Sequence, residues 1–593
     1  MLKKTLFTLL SLLFTLSSSA QHEVMLQGFY WDGYSDCKWQ KLEKQAEELA
    51  HYFDLIWIPN SGYCGGGNNM GYLPLYYWNQ NSSFGTEAEL RSMIKAFKEK
   101  GLGTIADVVI NHHNTSNGWF GFPQETYNGV TYQFQSTDIC SNDDGGAALT
   151  QAKKEGVSLS SNADTGEGWD GCRDLDHKSE NVNKIIKAYL KYLLEDLGYT
   201  GFRYDMVKGY SASILADYNT ASHPQFSVGE YWDSSSRIKS WIDGTKVDGT
   251  PTSSAFDFQF RYRVRDAVNQ NNWTILAGNP SDAGGYPLAL QADYQKYAVT
   301  FVENHDTERR PGAEQDPLKG DTLAANAFML AMPGTPCVFL KHWMNAKSDI
   351  KRMVSARKLA GITNTSKYEQ VASAQLYYGV KTTGTKGSLI CVVGKTPTAY
   401  AAPSGYTKVC SGKDYIYYLS NDVAAEWNKV EQQIADEIKA AEEELGNFTP
   451  HTATIYVKAN FTPVYFYIWD SNNNSQLNGN WPGKQPATTT INGETWYYQT
   501  VNIDKPDYYF NIIFNQGSGK PQTADITNLS SDHYYEATLT GATISHKDVT
   551  EATSISPVVS EDVSSPLYDL TGRKVTTPLQ GHIYIRNNKK IVY

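Results

Sequence analysis

Between residues 23 and about 361 the chain alternates strand-like and helix-like runs, and this alternation constrains its fold more than any other feature. The strand-like runs are EVMLQGFYW (23–31), FDLIWIP (53–59), GTIADVVINH (103–112), GFRYDMV (201–207), QFSVGEYW (225–232), SAFDFQF (254–260), AVTFVENHD (298–306) and TPCVFL (335–340). Between them lie segments such as KWQKLEKQAEELAHYF, TEAELRSMIKAFKEKG and ENVNKIIKAYLKYLLEDLG. Their apolar residues recur every three or four positions, the helical period. Strands and amphipathic helices in this order predict an α/β fold, a (β/α)8 TIM barrel over 21–361. A doubly wound open sheet is the alternative, weakened because no GxGxxG follows the first run.

The chain has 593 residues, too many for one compact core, so further domains are expected. Residues 113–179, rich in Gly, Asn and Asp, are too long for a structureless loop and predict an inserted domain within the barrel. Residues 362–421 hold short β runs (AQLYYGVKT, GSLICVVGK, DYIYYLS) and predict an antiparallel sheet. Residues 422–450 read as a charged helical connector, a solvated spacer. Residues 451–545 are β-rich and aromatic, and 550–593 form a C-terminal tail. Residues 1–20 have Lys3 and Lys4, an apolar core and small residues up to Ala20, the pattern of a cleaved signal peptide. The protein is therefore expected to be secreted or held at the cell surface. No later apolar run is long enough to span a membrane. A net charge of −11 without a basic run argues against nucleic acid as a partner. Seven cysteines fit no zinc spacing, and core packing is the expected role of Cys337 and Cys391.

In a barrel of this type, chemistry sits at the C-terminal ends of the strands. The third run ends with Asp107, Asn111 and His112, and the fourth carries Arg203 and Asp205. The fifth ends with Glu230 and Trp232, the seventh with His305 and Asp306. A single acid at a strand end reads as a cap or an ion pair. Three that converge, Asp205, Glu230 and Asp306, suit glycoside hydrolysis, in which one carboxylate attacks the anomeric carbon and a protonated one feeds the leaving oxygen. Arg203 lies two residues before Asp205, on the same face of the strand, and favours its ionised form. Glu230 has no basic residue within three positions, which suits a protonated acid.

The stretches DVVINH, GFRYDMVKG, GEYW and FVENHD resemble the four signature regions of the α-amylase family, glycoside hydrolase family 13. QGFYW, GYLP, FGTEAEL, DTGEGW, DLDH, GTPC and VSARKLAGI resemble the plant-type branch, over about 23–420. The resemblance implies a retaining α-amylase acting on internal α-1,4 bonds of starch, glycogen and maltooligosaccharides. Asp205 takes the place of the nucleophile, Glu230 of the general acid/base and Asp306 of the third acid. His112 and His305 match residues that contact the sugar being cut, Arg203 the arginine beside the nucleophile, and Tyr72 the aromatic platform. Lys208 and Trp232 match residues on the leaving-group side. The implied cofactor is Ca2+, held by Asn111, Asp164, Asp174 and main-chain oxygens of Glu167 and Gly209. Taken alone, Asp164 and Asp174 read as turn or cap residues, and it is Asn111 with the family spacing that favours calcium. Gly168 stands where an acid is expected, leaving the number of calcium ions beyond one open.

Residues 451–545 resemble a starch-binding β-sandwich of the family 26 carbohydrate-binding type. In PVYFYIWD, Tyr465, Tyr467 and Trp469 alternate with Phe466 and Ile468, and Trp481 follows in GNWPGK. One face would pack the sandwich and the other present rings to sugars. The tail resembles C-terminal sorting segments of secreted Bacteroidetes-type proteins, or is a small β module. A monomer with starch and related α-glucans as its partners is expected. The rival functions are a non-catalytic starch-binding protein on the same scaffold and a related family enzyme that trims or transglycosylates. The intact acid set argues against the first, the plant-type motifs against the second.

Overall fold

The computed structural model describes residues 23–310, 316–471, 475–506 and 508–550, with strand segments at 567–568, 574–575, 583–586 and 589–592. Residues 1–22, where a signal peptide is expected, and most of the tail lie outside the described residues. The chain divides into two compact units, Met1–Glu444 and Leu445–Tyr593.

The first unit is built on a closed parallel barrel of eight strands, as the alternation predicts. They are β1 Met25–Gln27, β2 Leu55–Ile58, β3 Gly103–Val108, β4 Gly201–Tyr204, β5 Phe226–Gly229, β6 Ser254–Phe256, β7 Ala298–Thr300 and β8 Thr335–Phe339. Each pairs with its neighbours in sequence, and β8 closes on β1 with Met25 opposite Cys337. The strands are buried on both faces and so read as near-continuous apolar runs. Helix Glu87–Glu99 shows the local logic of the outer ring. The Thr86 hydroxyl accepts from the Glu89 N–H at 3.3 Å, and the Glu89 carboxylate accepts from the Thr86 N–H at 2.7 Å, which satisfies two orphan donors at its start. Leu90, Met93, Ile94 and Phe97 recur at helical spacing and are all buried.

Register sets the site. Asp107 on β3 lies beside Arg203 on β4, and Arg203 beside Val228 on β5. The ladder runs one residue past the strand ends: the Asp205 N–H donates to Val108 O at 3.0 Å and the Glu230 N–H to Tyr204 O at 3.0 Å. Both acids are thus held by backbone pairing at the rim. Met206 then turns the chain with φ 44°.

Residues 113–179 carry a hairpin (Glu125–Tyr127 with Val130–Tyr132) and helix Ala147–Glu155. They are tied back where His112 pairs with Asp174 and His113 with Arg173. Beyond the barrel, a five-stranded antiparallel sheet runs in the order Lys367–Ala374, Tyr377–Thr383, Ser388–Gly394, Tyr415–Ser420, Tyr406–Gly412.

The helix Trp427–Asn447 differs from the solvated spacer expected of it. Trp427 and Ile434 are buried. Glu431 takes Arg352 Nε at 2.9 Å and Nη2 at 2.9 Å, while Glu437 accepts from Tyr52 Oη at 2.9 Å and from Lys351 Nζ at 2.5 Å. Residues 427, 431, 434 and 437 form one stripe, and its charges are matched on the barrel's outer helices rather than by water.

The second unit contains a five-stranded sheet and a three-stranded sheet that share an apolar core, with Ile455, Val457, Phe466, Ile468, Phe510, Ile512 and Phe514 among its members.

Candidate active site

Arg203 is the centre of the rim. Its side chain is almost wholly buried, and Nη1 lies 2.7 Å from Asp107 Oδ1 and 2.8 Å from Asp205 Oδ1. Nη2 lies 3.0 Å from Glu230 Oε2, which also accepts from the Met206 N–H at 3.1 Å. This corrects the reading of Glu230 as an acid without a cation nearby. Its sequence neighbours carry none, but β4 and β5 are adjacent and bring Arg203 to it across the sheet.

Asp107 Oδ2 accepts from Trp57 Nε1 at 3.1 Å and from Tyr72 Oη at 2.9 Å. Tyr72 Oη is 2.7 Å from His305 Nε2, and His305 Nδ1 is 2.9 Å from Gln27 Nε2. The amide of Gln27 donates to Nδ1, so the neutral imidazole carries its proton on Nε2 and points it at the tyrosine oxygen. Burial and the charge of Arg203 push His305 down to about 3, which keeps the ring neutral. His305 Nε2 also lies 3.2 Å from Asp306 Oδ2. The Tyr72 ring is parallel to that of His305 at 5.4 Å and to that of Trp31 at 6.0 Å. His112 donates from Nε2 to Tyr72 O at 2.9 Å, and burial pushes it down to about 4.

Asp107, Asp205 and Glu230 contact one guanidinium, whose charge Asp306 also feels, so the four cannot all ionise at little cost. Burial raises Asp205 well above the ordinary carboxylate range; Arg203 opposes this, and Glu230, Asp107 and Asp306 add to it. Burial also raises Glu230, against Arg203 and reinforced by Asp306. Asp306 itself is raised by burial, with Arg203 and Arg310 opposing. The cluster therefore holds protons at pH values where free carboxylates have none, which a proton donor requires.

Lys208 and Trp232 stand to one side. Lys208 Nζ lies 2.5 Å from Glu167 Oε1, 3.3 Å from Asp233 Oδ2 and 3.5 Å from Trp232 O. The Trp232 ring stacks on Phe258 at 4.9 Å.

Among the described residues, no three His, Cys, Asp or Glu side chains form a metal cluster. Four of the oxygens predicted for Ca2+ lie against two glycines. A Cβ placed on Gly209 would lie 1.6 Å from Asn111 Oδ1 and 2.8 Å from Glu167 O. One placed on Gly168 would lie 2.3 Å from Asp174 Oδ2 and 3.6 Å from Asp164 Oδ2. Two carboxylates thus meet at Gly168, and an amide oxygen and a main-chain carbonyl at Gly209, the two groups linked where Asn111 Nδ2 lies 3.5 Å from Asp174 Oδ1. These are hard oxygen donors from separate segments, the set Ca2+ prefers, and they fit it. Asp174 is pushed up to about 7, first by burial and then by Asp143, Asp164 and Asp144.

In the second unit, Phe466 and Ile468 are buried and Tyr465, Tyr467 and Trp469 are half-buried on the opposite face of strand Tyr465–Asp470. Tyr467 lies 5.3 Å from Trp469 and 5.1 Å, edge-on, from Trp481, which is exposed. Tyr465 stands apart from this trio, its ring over Gly517.

Sequence reasoning did not assign roles to Gln27, Trp57, Asp107 or Asp233. The first two left a signal: a polar or N–H-bearing side chain in an otherwise apolar strand needs a buried partner.

Residues 54–344 match the family model described as alpha amylase, catalytic domain. Probable alpha-amylase 2 of Arabidopsis thaliana is 29% identical over 416 residues, which cover 66% of this chain and 93% of that protein. The chloroplastic alpha-amylase 3 of the same plant is 31% identical over 353 residues, covering 56% of this chain but only 37% of the relative. The alpha-amylase of Bacillus licheniformis is 24% identical over 417 residues, 60% of this chain and 78% of that one. Among solved structures, the alpha-amylase of Geobacillus thermoleovorans aligns with a TM-score of 0.47 at 13% identity, over 68% of this chain and 99% of its own.

Proposed function

We propose, from the match of residues 54–344 to an α-amylase catalytic domain, a retaining glycoside hydrolase that cuts internal α-1,4-glucosidic bonds of starch, glycogen and maltooligosaccharides. The observation that carries this reading is the set of carboxyls on a single buried guanidinium. Asp205 and Glu230 share one guanidinium, at 2.8 and 3.0 Å, and lie within hydrogen-bond reach of each other, a closeness suited to direct attack rather than to a water held between two distant acids. Asp205 attacks the anomeric carbon. Glu230 gives its proton to the glycosidic oxygen, the bond to the leaving glucan breaks, and a glycosyl ester forms on Asp205. Glu230, now ionised, takes a proton from water, and the water oxygen displaces Asp205. Arg203 holds both carboxyls, and this mechanism requires the proton on Glu230 and the charge on Asp205.

Asp306 and His305 grip hydroxyls of the sugar being cut, His112 holds the same unit and Tyr72 stacks beneath it. Lys208 and Trp232 receive the leaving side. Ca2+ would be held by Asn111, Asp164, Asp174 and the main-chain oxygens of Glu167 and Gly209, where its charge joins the insertion to the β3 and β4 ends. The trio Tyr467, Trp469 and Trp481, with Tyr465, supports a starch-binding role for 451–545. The sequence of 1–20 supports secretion or display at the cell surface. No described helix is long and apolar enough to cross a membrane.

The test is Glu230→Gln. The amide keeps the shape but delivers no proton, so hydrolysis should fall by about 10²–10⁴-fold while oligosaccharide binding persists. A rate near that of the parent would remove Glu230 from the mechanism.

A further inference from the structure

The Lys208 ammonium is held from two sides by carboxylates on different segments. Glu167, on the insertion, places Oε1 at 2.5 Å, and Asp233, three residues beyond Glu230, places Oδ2 at 3.3 Å. The insertion is fixed at this point by its backbone as well: the Glu167 N–H donates to Lys208 O at 3.1 Å, and a Cβ on Gly166 would lie 1.7 Å from that same oxygen. Asp233 is oriented in turn, its Oδ1 accepting from the Ser234 N–H at 2.7 Å, with Arg237 at 3.8 Å. A free lysine side chain samples many rotamers, and anchoring its tip at two points fixes the direction of its third N–H.

We propose that Glu167 and Asp233 are positioning residues that clamp Lys208 across the leaving-group side of the cleft, so that hydroxyls of the glucan on that side meet the third N–H, which here rests on Trp232 O at a long 3.5 Å. The proposal rests on the amylase reading above. The clamp spans the insertion, the β4 end and the β5 loop, so it fixes the width of the cleft beside Glu230. Glu167 has two separable duties: its main-chain oxygen belongs to the cradle under Gly209, and its carboxylate belongs to the clamp.

The separation makes the test sharp. Glu167→Gln and Asp233→Asn each keep shape and main chain but remove the charge facing Lys208. Steady-state kinetics on a short maltooligosaccharide are measured for each, for the pair together, and for each in a Lys208→Ala background. Melting temperatures are measured with and without chelator. Each single change is expected to raise KM by about two- to fivefold with kcat within about twofold, the range of a partly exposed ion pair. In the Lys208→Ala background both effects should vanish, because the partner they act through is gone. The chelator-induced fall in melting temperature should match the parent's. KM values unchanged in the doubly substituted protein would overturn the clamp, as would KM effects that persist without Lys208. Loss of the chelator response in Glu167→Gln would also overturn it, by showing that the side chain acts through the cradle. A parent protein that releases no reducing ends from starch would instead defeat the functional reading, a result seen before any variant is made.

Discussion

Arg203 carries a charge into a nearly dry barrel rim and binds three carboxyls there at 2.7, 2.8 and 3.0 Å. A lysine at this position would offer a point charge in place of a planar fork and could not hold Asp107, Asp205 and Glu230 together. Arg203→Lys should therefore cut kcat/KM by at least about 10²-fold and lower the melting temperature, since breaking a buried ion pair costs about 3–5 kcal/mol. Kinetics and thermal unfolding on the same preparation check both. The electrostatics also give a signed pH effect. Asp306 raises Glu230, and the proposed mechanism requires Glu230 protonated. In Asp306→Asn that raising charge is gone, Glu230 loses its proton at lower pH, and the alkaline limb of the residual kcat/KM profile should move to lower pH. A limb that stays in place would show that burial alone holds the proton. The Arg203–Asp205 contact was legible in the sequence because two residues of one strand share a face. The Arg203–Glu230 contact was not, because it depends on which strands are neighbours and on their register. The chain from Gln27 through His305 and Tyr72 to Asp107 joins four separate segments and leaves no local pattern at all.

At the scale of elements, the barrel strands and helices were readable because their periods differ and both faces of the strands are apolar. The connector helix misled because its sequence is rich in Glu, Lys and Gln, the composition of a solvated helix. Its partners are Tyr52, Lys351 and Arg352, residues on distant helices that meet it only after folding. Ile434 is fully buried, so Ile434→Ala should cost about 2–5 kcal/mol of stability, a loss that a solvated spacer would not show. Deleting everything from Trp427 onward should lower the melting temperature of the catalytic unit. Deleting only the residues after Gly446 should not, and calorimetry on the two truncations separates them. Equal melting temperatures would mean that the stripe along this helix contributes nothing.

For the whole molecule, we propose catalysis in one unit and starch attachment in the other. Truncation near Gly446 should leave hydrolysis of a short soluble maltooligosaccharide intact while binding to starch granules drops, since a tethered second site raises the local concentration of substrate. Trp469→Ala and Trp481→Ala should each weaken granule binding in the full chain. Asp174→Ala should lower the melting temperature and abolish its response to chelator, because a metal that binds only the folded state stabilises that state. The central claim is retaining attack within the glucan chain. It is tested most directly by following the first products from soluble starch, separated by length and with the anomeric form of each new end read by proton NMR. The expected result is a broad set of mid-length maltooligosaccharides whose new reducing ends first appear as α anomers. A single short product cut from chain ends, or new ends that first appear as β anomers, would contradict it.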